Sequence, residues 1–200
     1  MRTLDPYRAL VAAAAAAPTV VFAHAGVGDG HDLLHGFMHP IGGLDHVLAM
    51  VAVGVTAAQL SGKALWAVPL SFVATMAIAA VIGMVGLVLP GLEVGIALSV
   101  IVLGAVISLR VRLSVILAVA MVAVFAVFHG YSHGLEMGAA HSRVILGFGF
   151  VLATALLLMT GISLGLALQR IGASSRQRMA QAGGSALALA GVVLLVSSLS

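Results

Sequence analysis

Two short strings carry much of the polar chemistry of an otherwise apolar chain. The first, HGFMHPIGGLDH, runs from His35 to His46, and the second, HGYSHGLE, from His129 to Glu136. Together they hold five of the eight histidines. Each lies at the edge of a long apolar run, where an ionisable group is costly and marks a substrate or ion path. Imidazole with carboxylate is a ligand set for divalent transition metals. There is no cysteine, which excludes thiolate sites, iron–sulfur clusters and disulfides. A metal here has to be held by nitrogen and oxygen, with a methionine sulfur as the one soft option.

Helical positions four and seven apart return to one face, so His129, His133 and Glu136 share a stripe. Imidazoles at i and i+4 can chelate one ion, as on zinc-binding helices, although the HExxH string itself is absent. Gly130 and Gly134 would let a neighbouring helix approach closely. In the first string, Pro40 suits the opening position of a helix, where its missing N–H is no loss. A helix is therefore expected to begin there, with His39 as its cap. His39 and His46 would then stand about two turns, roughly 10 Å, apart, too far to share an ion along a straight helix. Either Gly42 and Gly43 let the first turns unwind so that His39, Asp45 and His46 converge, as in the broken helices of transporters, or these residues mark successive stops.

Other polar residues have narrower readings. Asp45 is a direct ligand or an acceptor that fixes an imidazole tautomer. Glu93 is a carboxylate suited to a helix N-terminus or a further point on the path. Met50, one turn below His46, reads as core packing. His24, Asp29, His31 and Asp32 read as a solvated segment with room for ion capture, and His141 and Arg143 as ordinary interface residues.

The elements that must position these groups follow from composition. Of 200 residues, 62% are apolar and 8% charged, against roughly 25% charged in an average soluble domain. The fold class is therefore all-α, an integral membrane bundle. Nine Lys/Arg against six acids leave a net charge of +3, and their scatter among short loops gives no nucleic-acid footprint. The N-terminus reads as a signal peptide over 1–23: Arg2 and Arg8, an apolar stretch, then Val21-Phe22-Ala23 as a cleavage site. Cleavage would leave His24 first, with its amine and imidazole able to chelate together. Residues 24–38 form an outer His/Asp/Gly-rich segment, and 39–200 a six-helix transmembrane domain.

Six apolar runs approach the roughly 20 residues that a bilayer core needs: about 41–60, 64–88, 92–109, 113–130, 143–168 and 181–199. Residues 169–180 read as a polar inner loop. Basic residues favour the cytoplasmic side. If the chain after Ala23 starts outside, Lys63, Arg110, Arg112, Arg170, Arg176 and Arg178 fall inside, and only Arg143 falls outside. Both termini of the mature chain and both histidine strings then face the periplasm, where an acidic, imidazole-lined mouth attracts cations. The shared His-Gly-aromatic-x-His pattern of 35–39 and 129–133 reads as convergence on one chemistry, since an inverted repeat would put the two on opposite faces.

Gly161-Ile162-Ser163-Leu164-Gly165 matches the GxSxG string of serine hydrolases, but that motif needs a strand-to-helix turn. Here it lies mid-span, where Gly161 and Gly165 form a GxxxG packing pair. No enzyme activity is expected.

HPIGGLDHVLAMVAVG, residues 39–54, resembles the signature of HupE/UreJ family metal permeases, and FHGYSHGLE, residues 128–136, is similar to that family's second motif. PGLEVGIALS, residues 90–99, also looks familial, and the likeness covers essentially the whole chain. The resemblance implies import of nickel or cobalt across a bacterial inner membrane, supplying hydrogenase or urease and their maturation proteins. The matching positions are His39, Asp45, His46, Glu93, His129, His133 and Glu136. The metal is cargo, no permanent cofactor is implied, and a homo-oligomer is compatible. Two other readings remain: a haem-binding electron carrier with one axial histidine from each string, and a metal-sensing scaffold in a maturation complex.

Overall fold

In a chain this apolar the backbone has to satisfy its own hydrogen bonds, and helices do so within one segment. The computed structural model describes residues 29–86, 89–137 and 143–199. The expected signal segment 1–23, His24 and His141 lie outside them. All regular structure among the described residues is helical: α1 (Asp29–Gly42), α2 (Leu44–Leu60), α3 (Ala64–Gly83), α4 (Leu92–Leu109), α5 (Val115–Met137), α6 (Arg143–Gln169) and α7 (Ala173–Leu199). Five of these, α3 to α7, are each long and apolar enough to cross a membrane. Leu33–Gly42 and Leu44–Leu60 together form a bent pair, which would be a sixth span, broken by 82°.

The break corrects the expected start of the first membrane helix. Pro40 does not open a helix. It sits inside the last turn of α1, with His39 before it rather than as a cap. A proline this near a helix end costs only one backbone bond. The chain parts two residues later, where Gly43 takes an extended conformation (φ −92°, ψ 112°) before α2. Two successive glycines are poor helix formers, and the break falls on them just after Pro40. A second correction concerns 169–180, which is mostly helical: α7 starts at Ala173, and Arg176 N–H donates to Gly172 O at 2.9 Å. Ala, Arg, Gln and Met are good helix formers whatever their polarity. Likewise, α5 runs through the second histidine string to Met137, and α3 stops at Gly83, short of the expected 88.

The main helix pairs are α3 with α5, α4 with α7, and α6 with both α1 and α2. Inside a bilayer, such pairs are held by close van der Waals packing of small residues. A Cβ added at Gly130 or Gly134 would land on the carbonyl oxygen of Met76 or Ala80, so these glycines let α5 lie directly on α3. In the same way, a Cβ at Gly36 would strike the Leu146 carbonyl, which fixes α1 against α6. The GxSxG string lies within α6, and a Cβ at Gly161 would meet the Val51 carbonyl of α2. Large side chains such as Trp66, Leu70, Ile78, Ile116 and Val196 point outward, as lipid-facing surfaces require.

Candidate metal centre

On α5 the buried stripe Ala118, Val122, Ala126 continues into His129 and His133. The i, i+4 spacing that packs small apolar residues against neighbouring helices therefore carries both imidazoles into the bundle. Glu136 ends the stripe at the surface. The 82° bend does the corresponding work on the other side. It turns the end of α1 over the start of α2, so that His39 and His46 both reach His133. Ring centroids are 4.9 Å apart for His39 and His133 and 4.1 Å for His46 and His133. His46 also meets His129 at 4.6 Å. The break thus sets His39 and His46 each against His133, while of the first string only His39 stands near enough to His133 and Glu136 to share an ion with them.

Exposure grades inward. The side chains of Glu136 and His39 are 53% and 31% accessible, those of His133 and His46 only 5% and 6%. His129 is fully buried. A cavity of about 30 Å³, lined by His35, His39, Glu136, Met137 and Leu146, opens onto the outer pair. It has room for about one or two water molecules. The rings of Phe72 and Phe150 pack on His129 and His133 at 5.9 and 4.2 Å, and Met50 is fully buried in the core.

The hydrogen bonds sort the imidazole nitrogens into two kinds. Glu136 Oε2 accepts from His39 Nε2 at 2.5 Å and from His133 Nδ1 at 3.2 Å. Asp45 Oδ1 accepts from the His46 backbone N–H at 2.9 Å and from His46 Nδ1 at 3.1 Å. The His129 Nε2 lies 2.9 Å from Ser99 Oγ. An ionised carboxylate only accepts, so Nδ1 of His46 and of His133 each carries the proton. The remaining nitrogens, His46 Nε2, His129 Nδ1 and His133 Nε2, are buried without a hydrogen-bond partner. Three such orphans in one cluster are uncommon, because buried polar atoms are nearly always paired. A bare imidazole nitrogen is, however, the form that binds a metal.

One ligand atom from each of His39, His133 and Glu136 lies within 4.8 Å of the other two. These three are near enough to share an ion, and His133 joins them to the buried His46 and His129. Asp45, bonded to His46 through both backbone and ring, holds the position of an orienting acceptor. Glu93 is not brought into the cluster: it is exposed in the first turn of α4. Arg143 opens α6, and the side chains of Asp29, His31 and Asp32 lie outside the described residues.

Two contributors escaped the sequence reading. His35 stacks near His39 at 5.9 Å and lines the cavity, and its i, i+4 spacing to His39 was a usable signal. Ser99 gave none, since a lone serine in an apolar helix ordinarily bonds its own backbone.

The profile of a family described as HupE / UreJ protein matches residues 11–194. The chain belongs to the HupE/UreJ family. It is 44% identical over 185 residues to Protein HupE of Rhizobium leguminosarum bv. viciae, covering 92% of this chain and 94% of that one. No solved structure matches. Family membership and the apolar helices together make this a multi-pass membrane protein. For a HupE/UreJ protein, the matched stretch includes every residue of the cluster described above, from His35 to Glu136.

Proposed function

We propose that this HupE/UreJ protein is a secondary importer of a divalent transition metal, nickel or cobalt, across the bacterial inner membrane, supplying enzymes such as hydrogenase or urease. The observation that carries the reading is the set of three buried imidazole nitrogens without partners, on His46, His129 and His133, beneath a half-buried His39 and an exposed Glu136. In an apolar interior such groups are expensive unless a ligand uses them.

The ion is captured at the mouth by Glu136 and His39, with His35 beside them, and exchanges hydration water for imidazole as it reaches His133. His46 and His129 take it deeper. Asp45 orients His46. Glu93 adds negative charge outside the cluster. The mouth faces the periplasm, because Lys63, Arg110 and Arg170 follow the C-terminal ends of α2, α4 and α6, opposite the end where the histidines gather. Both termini of the mature chain lie on that outer side. A haem carrier is disfavoured by packing: the His46 and His129 rings are in edge contact, with no space between them for a macrocycle.

The test is uptake of radioactive nickel and cobalt into liposomes holding the purified protein. Accumulation by the native chain and its loss in His46→Ala and His129→Ala, with both variants folded and inserted, is the expected result. Unchanged uptake in either variant contradicts the reading.

A further inference from the structure

Ser99 lies on the buried face of α4, which also carries Ile96, Val100, Leu103 and Ile107. It is wholly buried. Its hydroxyl donates to the Ile96 carbonyl one turn back at 2.6 Å. A hydroxyl has a single proton, so with that proton engaged the oxygen faces His129 Nε2 at 2.9 Å as an acceptor. His129 then carries its hydrogen on Nε2. The alternative tautomer would put the hydrogen on Nδ1, which has no acceptor within reach. A buried donor left unpaired is penalised more than the same bond is worth when made. The engaged hydroxyl proton and the lack of an acceptor at Nδ1 select the same tautomer.

We infer that Ser99 is a positioning residue for the metal path: it locks His129 with Nε2 protonated and Nδ1 bare, presenting Nδ1 as the metal-binding nitrogen. Ser99 touches no ion itself. It does for His129 what Asp45 does for His46 and Glu136 for His133, with a neutral oxygen in place of a carboxylate. The difference has a chemical consequence. A carboxylate partner makes an imidazole more basic and a stronger ligand, whereas a hydroxyl orients the ring and adds little basicity. The deepest imidazole of the cluster is thus oriented for binding and yet remains a weaker donor, which suits a position the ion has to leave. The tautomer follows from the hydrogen bonds alone, and its importance for the metal rests on the proposed function.

The test uses the full chain in lipid nanodiscs with ¹⁵N-labelled histidine. His129 is assigned by the signals missing from His129→Ala. At neutral pH the native chain should show a protonated Nε2 and an unprotonated Nδ1 for His129. In Ser99→Ala the two tautomers should mix, and nickel affinity should fall about 10- to 100-fold, the range typical of partners behind a ligand. Ser99→Thr keeps a hydroxyl able to bond the preceding turn and should restore the native tautomer with affinity within about threefold. A native His129 protonated on Nδ1 overturns the proposal, as does a Ser99→Ala chain with native tautomer and native affinity. Should Ser99→Ala fail to fold, the native spectrum still decides the tautomer. A native chain with the expected tautomer that binds neither nickel nor cobalt overturns the proposed function while leaving the Ser99–His129 assignment standing.

Discussion

The ring of His46 stands edge-on to that of His133, with centroids 4.1 Å apart, although one opens α2 and the other lies near the end of α5. The break at Gly43 brings His39 against the same His133 ring, and Gly130 and Gly134 seat α5 directly on α3. The His46–His133 contact joins the carboxylate–imidazole mouth to two buried imidazoles.

Removing a buried imidazole should abolish binding without unfolding the bundle. His46→Ala and His129→Ala each delete a nitrogen that makes no hydrogen bond to protein, so little native pairing is lost from that atom. Nickel affinity by calorimetry should drop by more than the roughly 100-fold upper range for supporting residues, while helix content by circular dichroism stays native.

Asp45 should behave as a supporting residue. Asp45→Ala removes the acceptor at His46 Nδ1 and should weaken nickel binding about 10- to 100-fold. Asp45→Asn keeps a carbonyl acceptor without the charge and should fall between the two. A complete loss in Asp45→Asn would instead mark the carboxylate as a direct ligand.

Binding should depend on pH with a defined sign. Ligand imidazoles have to be unprotonated, so protons compete with the metal. Affinity should therefore decline as pH falls. Calorimetry over a descending pH series should show affinity falling with acidity, and affinity that rises on acidification would exclude imidazole ligation.

Two neighbouring glycines give a matched test of the packing. A Cβ at Gly36 would strike the Leu146 carbonyl, whereas one at Gly42 would meet nothing within 4 Å. Gly36→Val should lower thermal stability in detergent by an overpacking cost of about 1–3 kcal/mol and reduce uptake by moving α1. Gly42→Ala should be near native in both.

Much of this was legible in the sequence for physical reasons. Leu92–Leu109 and Arg143–Gln169 fall almost where apolar length places them, because a bilayer fixes how long an apolar helix has to be. The His129, His133, Glu136 stripe follows from helical periodicity alone. What the pattern could not give was direction. Pro40 fits the start of a helix and its final turn alike, and only packing of α1 on α6 selects the second. The bend of 82° at Gly43, and with it the meeting of His39 with His133, is a tertiary outcome. Ser99 is illegible because its partner lies on another helix. The polar residues of 173–180 hid a helix, since polarity reports where the bilayer ends and not where the helix does.

The central claim is that imidazoles of α2 and α5 bind one divalent ion together. Nickel-edge X-ray absorption on the purified chain with one equivalent of Ni²⁺ addresses it directly. A nitrogen-rich shell with imidazole scattering, losing one imidazole in His46→Ala and one in His133→Ala, is the predicted result. An all-oxygen shell, or a spectrum identical in native chain and both variants, would contradict it.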